Sequence, residues 1–127
     1  VTPPTTLARQ HVAAALTGLG VPVHPEPPET VAGVCIVLVP GEPWAVRRGL
    51  AGSWTVVVDV VILVPIQGGR TMLARLESLA HAAAAVPALR RPVGVPDLPQ
   101  VQRQQWGQGE YLAATIPTVV HIREEEE

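Results

Sequence analysis

Apolar residues are densest between Trp54 and Val64, where eight of eleven positions are Val, Ile or Leu and Pro65 closes the run. A stretch this short and this β-branched predicts a strand rather than a helix. At ~3.3 Å per residue it extends for about 36 Å, long for a small domain. Alternate positions give two faces. Trp54, Val56, Val58, Val60, Ile62 and Val64 share one, and Thr55, Val57, Asp59, Val61 and Leu63 share the other. Both are apolar, so both need cover.

Two stretches carry helical spacing instead. Ala8, Val12, Ala15, Leu16 and Leu19 form one apolar stripe after a Thr- and Pro-rich start, and Gly18 and Gly20 mark its end. This predicts a helix over 5–18. Met72, Leu76, Leu79, Ala80 and Ala83 repeat the same spacing between Gly69 and Pro87, predicting a second helix over about 70–86. Val34–Val39 reads as a strand stopped by Pro40-Gly41. Residues 100–106 and 110–116 read as a hairpin. Thr118–Arg123 alternates as a separate half-exposed or edge strand beyond Pro117. Four prolines between 22 and 28 make 21–31 extended, and Pro92, Pro96 and Pro99 make 87–99 an irregular crossing.

The order predicts an α+β domain: a mostly antiparallel sheet of four to five strands with two helices packed on one face. Residues 1–123 form that single domain, and Glu124–Glu127 form an acidic, solvated tail. Two helices cover one face of a sheet. The Thr55, Val57, Asp59, Val61, Leu63 face is therefore expected to meet another copy of the chain, with Val57 and Val61 at the contact.

Composition narrows the function. The net charge of −2 hides a split, because residues 1–123 carry nine Arg against seven acids. An excess of +2 is no footprint for tight nucleic-acid binding. No apolar run reaches the ~18 residues of a membrane span. Val1-Thr2-Pro3-Pro4 has neither a basic region nor an apolar block, so no secretion is expected. One cysteine, Cys35, excludes an internal disulfide and fits a reducing compartment.

Candidate chemistry is thin. His11, His24, His81 and His121 lie on separate elements without ligand spacing, so no metal is expected. Cys35 sits inside an apolar strand as a packing residue. Neither serine occupies a nucleophile elbow, Gly68-Gly69 reads as a turn, and no catalytic residue or cofactor is expected. Residues 41–52 read as a long connection bearing Trp44, Arg47 and Arg48, either a solvated loop or a docking patch. Shortening it should then spare the fold. Asp59, the one charge in the long strand, is either hydrogen-bonded to a neighbour or paired with an Arg across an interface. Trp106 and Tyr111 pack across the hairpin.

The order of these motifs resembles the tail terminator proteins of siphoviruses, particularly those from phages of high-GC bacteria. The matching pieces are the first helix with Leu19-Gly20-Val21-Pro22-Val23 after it, Val34 to Gly41, and Gly52-Ser53-Trp54 opening a valine-rich strand. The alanine-rich helix and Gly109 to Thr115 complete a resemblance that spans residues 5–122. It implies an α+β fold and a hexameric ring with a channel that passes genomic DNA without sequence-specific binding. It also implies faces that dock the tail tube protein and the head–tail connector or stopper, no enzymatic activity, and a place in the virion after assembly in the host cytoplasm. Competing expectations are another neck component, such as a head–tail stopper or tail-completion subunit, and a non-viral oligomeric α+β binding module.

Overall fold

The computed structural model describes residues 4–25, 33–48, 53–66, 69–86, 101–106 and 109–123, without the side chains of 42–44, 46–48, 69 and 123. The 87–99 crossing, the remainder of the 21–31 segment beyond Pro25 as far as Val31, and the Glu124–Glu127 tail lie outside the described residues. Within them the chain forms α1 (Pro4–Leu16) with a 3-10 turn (Thr17–Leu19), β1 (Val23–His24), β2 (Cys35–Arg48), β3 (Ser53–Pro65), α2 (Gly69–Ala84), β4 (Val101–Trp106) and β5 (Gly109–Arg123). The strands make one sheet in the order β1-β2-β3-β5-β4. Only β1 runs parallel to its neighbour. This is the expected α+β fold, with the valine-rich strand at its centre.

Both helices pack on the same face. Ala8, Val12 and Leu16 of α1 and Leu76, Leu79, Ala80 and Ala83 of α2 are buried against Val56, Val58, Val60, Ile62 and Val64 of β3. Ile36 and Leu38 of β2 and Ala114, Ile116 and Val120 of β5 complete that core. Each helix therefore buries most of the stripe its spacing predicts, with Ala15, Leu19 and Met72 half-buried. Gly20 ends the first helical segment at φ 76°, a left-handed conformation that a side chain would strain. Arg9 ties α1 to the chain after β1 by donating to the Pro25 carbonyl at 3.3 Å. Thr118 is the one buried polar residue among the described core positions, and its Oγ1 donates to the Val58 carbonyl at 2.7 Å.

Two sequence expectations fail, for related reasons. Residues 41–52 are not one long connection: β2 continues to Arg48, pairing Ala45 with Val56 and Arg48 with Ser53. Pro40-Gly41 marks a bulge rather than a stop. Between the Pro40–Val58 and Ala45–Val56 pairs, 41–44 lie opposite Val57 alone. Gly41 is required there, because a Cβ would overlap the Val57 side chain and lie 2.9 Å from the Val57 carbonyl oxygen. Shortening 41–52 would thus remove a strand segment, including Ala45, which packs on the helix-side core.

Likewise, 110–116 and 118–123 are one strand, not two. β5 lies beside β3 from Tyr111 to Arg123 and passes straight through Pro117, which pairs with Asp59. Neither proline disrupts a full ladder. β1 accompanies β2 only as far as Val37, and β4 accompanies β5 only over Gly109 to Ala114. At Pro40 and Pro117 each strand has a described neighbour on one side alone, where a missing N–H is tolerated.

Candidate assembly surface

The sheet face turned away from the helices is in two states. At one end Cys35, Val37, Val61, Leu63, Tyr111 and Ala113 form a second buried cluster, with Val39 and Trp106 packed against it. Val61 is only 5% exposed and Leu63 is fully buried. The expectation that this whole face awaits a partner is therefore corrected. Tyr111 and Trp106, placed on that face by the β4–β5 hairpin, help to close its upper part from within the chain, and Val61 is a core residue rather than a contact residue.

The other end stays open. Thr55, Val57 and Asp59 of β3 and Thr115, Pro117 and Val119 of β5 are half-buried, and His121 is exposed. Register sets Val57 beside Val119 and Thr55 beside His121, whose Nδ1 lies 3.3 Å from Thr55 Oγ1. Val57 thus keeps its expected place on an open surface.

Asp59 stands in the middle of this surface. Its register neighbours are Val39 on β2 and Pro117 on β5, and Val57 and Val61 flank it along β3 on the same side. None of the four carries a group that could pair with a carboxylate. Among the described residues Asp59 makes no hydrogen bond or ion pair. Burial pushes its carboxyl pKa above the ordinary value. A half-desolvated, unpaired carboxylate is costly in the isolated subunit and is relieved by any donor brought to it.

A second polar group is also unsatisfied near this end. The Trp54 indole N–H, on the helix side of β3, is buried without a hydrogen-bond partner among the described residues. Trp54 pairs with Arg47 and Ile122 in register. The backbone of Trp44, Arg47 and Arg48 belongs to β2, so these residues are strand rather than loop, while their side chains lie outside the described residues.

Chemistry elsewhere is sparse. Among the described residues no group of three His, Cys, Asp or Glu side chains could hold a metal ion. Burial raises the Cys35 thiol pKa, which makes it a poor nucleophile. No helix among them is long and apolar enough to cross a membrane. A comparison with protein-family models and with curated proteins finds no match.

Sequence reasoning missed the division of this face into closed and open ends. The signal that could have found it is the pair Trp106 and Tyr111, two large aromatics on a hairpin too short to bury them by itself.

Proposed function

We propose that this chain is a structural subunit that assembles with copies of itself into a ring, and that the ring terminates the tail tube of a long-tailed phage. The observation that carries the reading is the open end of the sheet: Val57 and Asp59 of β3 and Val119 of β5, uncovered by either helix, with Asp59 unpaired among the described residues. A half-buried carboxylate with no partner among the described residues is a poor end state for a monomer. It suits a subunit whose surface is finished by assembly.

The order of motifs that resembles tail terminators supplies the biological setting. In that setting one ring face binds the last ring of the tube and the other accepts no further tube subunit, so growth stops and the neck docks. Genomic DNA passes through the channel on weak, sequence-independent contacts, consistent with an excess of only +2 over residues 1–123. The subunit carries out no catalysis and ends in the virion.

Negative-stain microscopy of the purified protein, with addition of that protein to tails assembled without their terminator, tests both levels. Six-fold rings that cap tubes and permit head joining are the expected result. Discrete dimers that leave tube length unchanged would overturn it in favour of a binding module.

A further inference from the structure

The open face is not the only unfinished part of the sheet. β1 stops at the level of Val37 and β4 stops at the level of Ala114. Past those points β2 and β5 each have β3 on one side and, among the described residues, no strand on the other. The two bare edges lie at the same end of β3, on opposite sides of it. They are also level with one another. Ala45 and Val120 both pair with Val56, Val46 and His121 both pair with Thr55, and Arg48 and Arg123 both pair with Ser53. Because each is antiparallel to β3, the two run in the same direction.

We infer that copies of this chain join edge to edge, the free edge of β5 (Thr118–Arg123) in one copy pairing in parallel with the free edge of β2 (Ala45–Arg48) in the next. The inference rests on the self-association proposed above but not on the tail. Bare edges are sites for strand addition because their outward N–H and C=O groups lack partners within the sheet. Pro40 with its bulge, and Pro117, sit where the free segments begin. Each lacks an N–H, so pairing is confined to the tip beyond them.

Two observations select a second copy as the occupant. First, every subunit carries both edges, equal in level and direction and on opposite sides. Pairing β5 with β2 of the next copy satisfies both in every subunit. A symmetric β2–β2 or β5–β5 dimer, or a strand from another protein, leaves one edge bare. Such a head-to-tail contact makes a ring when the rotation between successive copies closes. Second, the charges match. β5 leads directly into Glu124–Glu127, while β2 ends on Arg47-Arg48 at the same end of the sheet. The apolar layer is continuous as well, since Ala45 and Val120 both pack against the helix-side core.

Disulfide trapping tests the geometry. The double variants Val46→Cys/His121→Cys and Val46→Cys/Arg123→Cys cover the level and staggered registers. Buried Cys35 remains in place, and oxidised wild-type protein is the control. The expected result is a ladder of covalent multimers ending at the copy number of the ring, with each single-cysteine variant staying uncrosslinked. Covalent dimers from Val46→Cys or His121→Cys alone would overturn the inference by showing a symmetric joint. So would an absence of cross-links in folded double variants that sediment as oligomers, because the copies then join elsewhere. Wild-type protein that sediments as a monomer at high micromolar concentration would sink the self-association reading itself. Removing Glu124–Glu127 provides a second measurement that leaves the described strands untouched. It should weaken association about tenfold at low salt and flatten its salt dependence. Unchanged association and salt dependence would refute the charge pairing.

Discussion

The two ends of β3 carry three valines each and lie in opposite environments, with Ser53, Thr55 and Asp59 all at one of them. At the level of Ile62 the sheet is five strands across, through Val23, Ile36, Ile62, Ala114 and Val101. There Val60 to Val64 are buried on both faces. At the level of Val56 it is three strands across among the described residues, through Ala45, Val56 and Val120, and residues 55–59 alternate between half-buried and buried. Valine content does not decide which end is finished. Sheet width does, together with the aromatics of the β4–β5 hairpin, which close one end and do not reach the other. The wide end is a core; the narrow end, on the proposal above, is a joint.

The sharpest way to break this comparison is to place the same charge at each end. Val61→Asp buries an unpaired carboxylate in the closed cluster and should cost about 3–5 kcal/mol, enough to abolish the cooperative melt of a marginal domain. Val57→Asp should cost about 1 kcal/mol and keep the native circular dichroism spectrum while abolishing self-association in sedimentation. Equal loss of stability in the two variants would show that the ends do not differ.

The bulge comes next in size. Gly41→Ala drives a methyl group against Val57 and its carbonyl oxygen, and should lower stability by about 1–3 kcal/mol in chemical denaturation. Gly18→Ala is the control, because nothing lies within 4 Å of a Cβ there. A Gly41→Ala protein as stable as wild type would mean that β2 does not continue past Pro40 along the path described.

Asp59 gives a smaller effect with a definite sign. Its pKa is raised by burial, so protonation favours the folded subunit. That contribution is fully present below the ordinary value of 3.8 and is lost as pH rises through the raised folded value. In dilute, unassembled protein, Asp59→Asn should therefore melt higher than wild type near neutral pH, and the difference should vanish in acid. At high concentration the same variant should associate more weakly, having lost the charge that a donor on the neighbour would meet. A pH-independent difference in melting would contradict this account of Asp59.

Much of the fold is legible in the chain because the relevant signals are local. The stripes Ala8, Val12, Leu16 and Leu76, Leu79, Ala80, Ala83 need only helical periodicity, and the 54–64 run needs only β-branching. The continuation of β2 beyond Pro40 is not legible. Its cause is a partner strand long enough to template it and a bulge that absorbs the surplus residues, and both are tertiary facts. Pro117 misleads in the same way, since a proline's cost depends on whether a neighbouring strand is there to miss its N–H. Val61 and Asp59 are two residues apart with the same parity, yet one is core and the other lies on the open surface. The difference comes from Tyr111 and Trp106, some fifty residues downstream.

The central claim is that the narrow end of the sheet is completed by other copies of the chain. Amide hydrogen exchange on wild-type protein at high micromolar concentration tests it most directly. The account predicts strong protection of 60–64, and equally of the amides of 45–48 and 118–123 that point away from β3, with those outward amides losing protection in Val57→Asp while 60–64 keeps it. Free exchange of the outward amides of 45–48 and 118–123 in concentrated wild-type protein would contradict it.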